Sequence, residues 1–181
     1  MLMRVPFYFI RHGETDHNAK EICAGGKTNT PLNAKGIEQA NSLKTLLQDK
    51  NFWAIFSSPL ERAVDTAFLA TGQVPQISVD LREWEVGEFE ETLVAPFLLH
   101  IQTLPFQTLL PKGESKEMFF NRSIAALNEI LQTFDHPLIV AHGGTYWAIL
   151  YALQLQYQHI DNATCLYFTW EKNALNIKTL K

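Results

Sequence analysis

Arg11, His12 and Gly13 follow directly on the apolar run Val5-Pro6-Phe7-Tyr8-Phe9-Ile10, so a strand delivers a guanidinium and an imidazole together at a glycine turn. A guanidinium offers a planar fork that suits phosphate oxygens, and a neutral imidazole can attack phosphorus. Glycine lets the backbone turn away without steric penalty. A second imidazole, His142, ends the apolar run Pro137-Leu138-Ile139-Val140-Ala141 and is followed by Gly143-Gly144. Arg62 lies four residues after Ser58 in Ser57-Ser58-Pro59-Leu60-Glu61-Arg62-Ala63, in the first turn of an expected helix whose N-terminal amides favour an anion. A phosphoryl group in transfer spreads negative charge over its equatorial oxygens, so its site needs several fixed donors and one in-line nucleophile. Arg11, Arg62 and His142 fit the clamp, and His12 fits the nucleophile.

The leaving alkoxide of a phosphomonoester also needs a proton, which asks for a carboxylic acid across the pocket. Glu83 is the choice, beside Trp84 in Leu81-Arg82-Glu83-Trp84-Glu85-Val86-Gly87-Glu88-Phe89-Glu90. On chemistry alone Glu85, Glu88 and Glu90 compete with it.

Hydrophobic periodicity and punctuation give the elements that must position these groups. Strands are expected at 5–10, 52–56, 77–79, 137–141, 164–170 and 174–179, the last two joined by a turn at Lys172-Asn173. Helices are expected from Asn33, as N-cap, to Asp49, from Ser58-Pro59 to Thr71, from Glu114-Ser115 to Phe134, and from Thr145 to Leu155. In the first of these Ile37, Ala40, Leu43, Leu46 and Leu47 share one face. Residues 88–112, broken by Pro96, Pro105 and Pro111, read as a lid or an excursion beside the site. Alternating strands and helices imply an α/β fold: one domain over 1–181, a mostly parallel sheet with helices on both faces, and a C-terminal edge hairpin. Ligands in such sheets bind beyond the carboxyl ends of strands. If the strands ending at Ile10 and Ala141 are neighbours, the two imidazoles face one crevice.

The combined motifs resemble the histidine phosphatase superfamily, in its phosphoglycerate mutase-like branch. The matching pieces are Arg11-His12-Gly13-Glu14-Thr15 with Asn18; Thr30-Pro31-Leu32 with Gly36 and Gln39-Ala40; Ser57-Ser58-Pro59-Leu60 with Arg62-Ala63 and Thr66-Ala67; Leu81 with Glu83; Gly113-Glu114-Ser115; and Ala141-His142-Gly143-Gly144. The resemblance implies a transient phosphohistidine at His12, with Arg11, Asn18, Arg62 and His142 around the phosphate, Glu83 as proton donor and later acceptor, and no metal or other cofactor. The chain departs from the family pattern at Asn29, at Gly87-Glu88-Phe89-Glu90-Glu91 and around Thr145-Tyr146-Trp147, which touches the substrate rim rather than the clamp. The expected activity is hydrolysis of a small phosphorylated metabolite. A cofactor-dependent mutase is the rival, disfavoured by length, and a phospho-ligand-binding protein without turnover is the third reading.

Composition narrows the partners. A length of 181 residues with 46% apolar content suits one core, and a net charge of −4 without a Lys/Arg run excludes an extended polyanion such as nucleic acid. The N-terminal apolar run is only strand length, so neither a signal peptide nor a membrane span is expected and the protein reads as cytoplasmic. Cys23 and Cys165 are far apart and read as ordinary thiols; His17, His100, His136 and His159 lack ligand spacing and read as structural or surface residues. Gly25-Gly26-Lys27-Thr28 imitates the tail of a P-loop, but Glu21 stands where its first glycine belongs, so a flexible loop near the pocket mouth is expected. The terminal hairpin offers an edge through which a homodimer could pair.

Overall fold

The computed structural model describes residues 1–172 and 174–180; Asn173 of the expected hairpin turn lies outside them. Six strands form one sheet: β1 (Phe7–Arg11), β2 (Ile55–Ser57), β3 (Gln76–Ile77), β4 (Leu138–Ala141), β5 (Cys165–Glu171) and β6 (Ala174–Leu180), in the order β3-β2-β4-β1-β5-β6. The β3, β2, β4 and β1 strands are parallel neighbours; β5 and β6 add antiparallel, so the expected hairpin forms one edge. The sheet is therefore mixed, with its parallel part at the site.

Alternation along β1 sorts the core into two layers, because successive side chains leave a strand on opposite faces. Phe7 and Phe9 join Leu127, Ile130 and Leu131 of α5 (Lys116–Thr133) and Ile149 and Leu150 of α6 (Gly143–Ala152). Tyr8 and Ile10 join Leu43 and Leu47 of α2 (Ala34–Leu47) and Ala63, Ala67 and Ala70 of α3 (Glu61–Thr71). Helices thus cover both faces. A short helix, α1 (Asp16–Ala19), follows β1 and is closed by a capping box between Thr15 and Asn18.

Several boundaries differ from expectation for identifiable reasons. Asn33 caps α2 as expected, accepting the Gly36 N–H at 2.8 Å, but Ile37 is 45% exposed and Gly36 takes the inner position. A Cβ on Gly36 would come within 2.0 Å of the Glu14 carbonyl, so only glycine permits that approach. The α3 helix opens at Glu61, with Leu60 as its N-cap, rather than at Ser58-Pro59; the Ser58 hydroxyl accepts the Leu60 N–H at 3.3 Å and lies 2.7 Å from His142 Nε2. The expected strand at 77–79 shrinks to β3, since residues 79–81 close a 3-10 turn.

The largest departure falls within residues 88–112, which contain α4 (Val94–Thr103). Pro96 sits in its first turn, where the missing N–H breaks no helical bond. The approach to α4 is stitched to the loop after α1: Cys23 N–H donates to Thr92 O at 2.8 Å, Glu91 N–H to Cys23 O at 3.0 Å and Val94 N–H to Glu21 O at 2.8 Å. Phe97 and Ile101 then pack with Trp84, Val86, Leu110, Phe119 and Phe120 in a third cluster beside the sheet. Among the described residues no helix is long and apolar enough to cross a membrane.

Candidate active site

The register of the two central strands decides the site. Arg11 of β1 is paired with Ala141 of β4, so the residues that follow, His12 and His142, leave the sheet side by side, with ring centroids 5.2 Å apart. Both rings are buried. Around them stand Arg11, Arg62 and Glu83, each of which acts electrostatically on at least one of the others.

The His12 ring is fixed by its own turn. Its Nδ1 lies 2.7 Å from the Gly13 carbonyl, which can only accept, so Nδ1 carries the proton and Nε2 keeps its lone pair with no partner among the described residues. The turn is held in place as well. Gly13 N–H donates to Thr66 Oγ1 at 2.9 Å, and Asn162 Nδ2 donates to the His12 carbonyl at 3.0 Å. Burial, then the positive charges of Arg62 and Arg11, hold the His12 imidazole well below the ordinary histidine range. Burial and the same arginines do so for His142, with His12 adding to the effect. Both rings are neutral near pH 7, as nucleophilic attack by an imidazole requires.

Arg62 is 1% exposed and is steered by the loop that imitates a P-loop. Its Nη1 donates to Thr28 O at 2.8 Å and its Nη2 to Ala24 O and Gly25 O at 3.2 and 3.3 Å. That loop borders the cavity as expected, yet it is tied down rather than flexible: Gly26 N–H donates to Trp84 O at 2.8 Å, Lys27 N–H to Glu90 at 3.0 Å, and the Thr28 hydroxyl also reaches Glu90. Burial pushes the Arg62 guanidinium down to about 10, which leaves it charged at neutral pH. Arg11 donates to Ile160 O at 2.5 Å. The Nε atoms of Arg11 and Arg62 and the Nδ1 of His142 are all buried without a hydrogen-bond partner. Buried polar atoms are nearly always paired, so three orphans around one imidazole mark a place that an anion completes.

Glu83 is aimed by backbone amides. Trp84 N–H donates to Oε1 at 2.8 Å, and Gly144 N–H donates to Oε2 at 3.1 Å. A Cβ on Gly144 would lie 2.1 Å from Oε1, so that glycine is what lets α6 approach the carboxylate. Glu85 is occupied by Arg82 and Lys27, Glu88 by Lys112, and Glu90 by the 27–28 segment. Asn18 is brought to the same place: its Oδ1 accepts from Thr15 N–H and Asn162 Nδ2, and the residue borders the cavity.

A cavity of about 660 Å³ opens on the group, bordered by Arg11, Asn18, Glu83, Gly143 and Gly144; His12, Arg62 and His142 are buried behind this border rather than part of it. Of the remaining histidines, His17 pairs with Glu91 at 2.8 Å, His100 lies against Phe89 and His136 against Tyr167. His159 is exposed as expected and also borders the cavity. Both thiols are buried, and burial pushes Cys165 up to about 12.

Two contributors, Arg122 and Asn162, were not found from sequence. Arg122 donates to the carbonyls of Asp80, Arg82 and Glu83 at 2.8, 2.7 and 2.9 Å while gripping Glu114 with Nε and Nη2, and so fixes the segment that carries Glu83. Asn162 joins the His12 turn to Asn18, and Thr66 joins it to α3. Arg122 and Asn162 each stand alone in their stretch of sequence, without a spacing that marks them, whereas Thr66 belongs to the matching motif that starts at Ser57.

The two neutral histidines make stability depend on pH. Above 6.5, the ordinary value, both are neutral folded and unfolded. As pH falls below 6.5 the unfolded chain binds protons that the folded chain refuses, so folding stability drops by about 1.4 kcal/mol per pH unit for each histidine. That loss continues down to the depressed folded values. Urea titrations between pH 8 and 5 should show this slope, and His12→Asn should remove about half of it; an unchanged slope would mean that His12 is not held neutral.

Comparison with known proteins gives the same picture. The family model described as "Histidine phosphatase superfamily (branch 1)" matches residues 7–181. The chain is 35% identical over 157 residues to the adenosylcobalamin/alpha-ribazole phosphatase of Escherichia coli K12, covering 76% of this chain and 73% of that protein. It matches the structure of the alpha-ribazole phosphatase from Shigella flexneri with a TM-score of 0.78 and 29% identity, over 97% of this chain and 95% of that one. It matches the phosphoglycerate mutase from Thermus thermophilus with a TM-score of 0.75 and 29% identity, over 97% and 98%. It also matches agropine synthesis reductase of Rhizobium rhizogenes, at 32% identity, but spans only 39% of that longer protein. By its motifs, its fold and these relatives, the chain belongs to the histidine phosphatase superfamily.

Proposed function

We propose that residues 1–181 form one phosphomonoester hydrolase domain working through a phosphohistidine on His12. The observation that carries this reading is the His12 ring, whose Nδ1–H is spent on the Gly13 carbonyl and whose Nε2 lone pair has no partner among the described residues, beside orphaned donors of Arg11, Arg62 and His142. Neutral His12 attacks phosphorus through Nε2, and Glu83 gives its proton to the leaving oxygen. Water, deprotonated by the Glu83 carboxylate, then attacks the phosphohistidine and releases inorganic phosphate.

His142 serves as a donor rather than a second nucleophile. Its Nε2 is 2.7 Å from the Ser58 hydroxyl, and donation by that hydroxyl keeps the proton on Nδ1, the atom left unpaired. Arg11, Arg62 and Asn18 supply the remaining donors to the phosphate oxygens. Positive charge for the transition state comes from two guanidiniums, so the mechanism is metal-independent and needs no cofactor. The chemistry suits a small phosphorylated substrate in the cytoplasm, with neither nucleic acid nor membrane as partner. The outer edge of β6 is where a second copy would pair in a homodimer.

The decisive assay is phosphate release from simple esters, run beside 3-phosphoglycerate interconversion with 2,3-bisphosphoglycerate present. Turnover only in the second assay would make the protein a mutase, and silence in both a binder.

Arg62 gives a second test. Arg62→Met should lower kcat/KM by roughly 10²- to 10³-fold, the usual loss when one donor to developing charge is removed. Stability should fall too, because the carbonyls of Ala24, Gly25 and Thr28 lose their partner. Kinetics at a temperature where denaturation curves show the variant folded separate the two effects. A loss confined to stability would take Arg62 out of the phosphate site.

A further inference from the structure

The cavity has two chemically different parts. Arg11, Asn18 and Glu83 make one; the other is apolar, with Ile22, Trp84, Val94, Phe97, Leu98 and Ile101 as its main surfaces. Trp84 is held by stacking on Phe119, with centroids 5.9 Å apart, and by its indole N–H, which donates to Glu114 O at 3.0 Å. A rigid aromatic wall is therefore in place beside the carboxyl of Glu83.

Charge around the cavity is distributed against a second anionic group. Of the described residues bordering it, the side chains with a permanent positive charge are Arg11 and Lys116. Lys116 spends two of its three N–H bonds on Ile101 O and Leu104 O, at 3.0 and 2.9 Å, where it holds the end of α4. The adjoining cleft of about 450 Å³, which shares Arg11, Asn18 and Leu98 with the cavity, carries the carboxylates of Glu21 and Asp161. His159 stands 3.3 Å from Asp161 and is already matched to it. A carboxylate or second phosphate on the substrate would meet no free cationic fork here.

We propose that the preferred substrates are phosphomonoesters of uncharged, apolar or aromatic alcohols, whose organic part lies against the inner face of α4; this rests on the phosphohydrolase reading. Apolar side chains gain by covering such a group, whereas a charged one would give up water for a wall whose described polar side chains are Gln102, Tyr157, His159 and one remaining N–H of Lys116. The size agrees, since about 660 Å³ is ample for a phosphate and a fused-ring or phenylalkyl group.

The test uses alkyl esters only, so that leaving groups are matched: 3-phenylpropyl phosphate, glycerol 3-phosphate and 3-phosphoglycerate. In parallel, calorimetry on the wild-type chain compares 4-phenylbutylphosphonate with the phosphonate isostere of 3-phosphoglycerate, neither of which can be hydrolysed. The phenylalkyl ligand should win by roughly tenfold or more in both kcat/KM and affinity. Leu98→Lys, at a position 46% exposed and so tolerant of change, removes apolar wall and supplies a cation, and should bring the ratio close to one. Equal or reversed preference would overturn the inference while leaving hydrolysis intact, and so would an unchanged ratio in Leu98→Lys. Selective phosphonate binding without turnover of any ester would sustain the pocket and sink the hydrolase.

Discussion

His12→Asn should abolish steady-state phosphate release, by roughly 10⁴-fold or more, because removing a nucleophile eliminates the covalent route rather than weakening it. Asparagine is the informative replacement: it remains polar and buried beside Gly13, so the turn held by Thr66 and Asn162 keeps its anchors. Rapid acid-free quenching after mixing with a ³²P-labelled ester should trap acid-labile, base-stable label on the wild-type chain and none on the variant. The neighbouring ring provides the internal control. His142 stands 5.2 Å away and is likewise buried and neutral, so it is the imidazole nearest to hand for labelling in place of His12. His142→Asn should still take label, more slowly. Label that survives in His12→Asn and vanishes in His142→Asn would exchange the two roles, and label that survives when both are replaced would take this histidine pair out of the chemistry.

What made this pair readable was local. A cation and an imidazole at one strand end, and an imidazole with two glycines at another, announce themselves because a strand has a direction and its carboxyl end opens on the ligand crevice. Their adjacency required only that β1 and β4 be neighbours, which the pairing of Arg11 with Ala141 establishes. The α4 helix was hidden for a physical reason. Pro96 looks like a breaker in a linear reading, but a proline in the first turn forfeits no helical bond, and that freedom is invisible until the helix start is known. Ile37 misled in the opposite way: helical spacing put it on the apolar face, while Gly36 won the inner position because the α2 backbone must pass close to Glu14.

The supports of the site were harder still, since they act across sequence distance. Arg122 reads as a solvated charge on an amphipathic helix, yet it satisfies three carbonyls of the 80–83 segment and a carboxylate from the start of α5. Gly144 reads as strand-end punctuation, although it belongs to the first turn of α6 and gives its N–H to Glu83. In the proposed mechanism the motif residues touch the reacting atoms, and the residues that hold them are chosen by three-dimensional fit. The candidate catalytic residues are therefore legible where the chain is forced to repeat a chemistry, whereas the substrate preference proposed above would rest on the apolar wall of α4, where many side chains would serve.

Glu83→Gln should slow formation of the phosphohistidine from alkyl esters by about 10²- to 10⁴-fold, the usual worth of a positioned general acid. The loss with aryl esters should be at least roughly tenfold smaller, because a phenolate departs with less help from a proton. The comparison must be made on the first step, by the rate of the labelled-enzyme burst, since water attack also relies on Glu83 and is common to both esters. In the variant an aryl ester should release one equivalent of phenol rapidly and then turn over slowly, with label accumulating on His12. The substitution has its own structural cost: Trp84 N–H and Gly144 N–H both donate to the carboxylate, and glutamine must turn its NH₂ towards one of them. That forfeits one hydrogen bond, about 1–3 kcal/mol of stability for the amide left unpaired. Denaturation curves recorded on the same preparation bound that contribution, which acts equally on alkyl and aryl esters and so cancels from their ratio. Equal slowing of both bursts would show that Glu83 orients the site without moving a proton, and the acid would have to be sought elsewhere along the cavity.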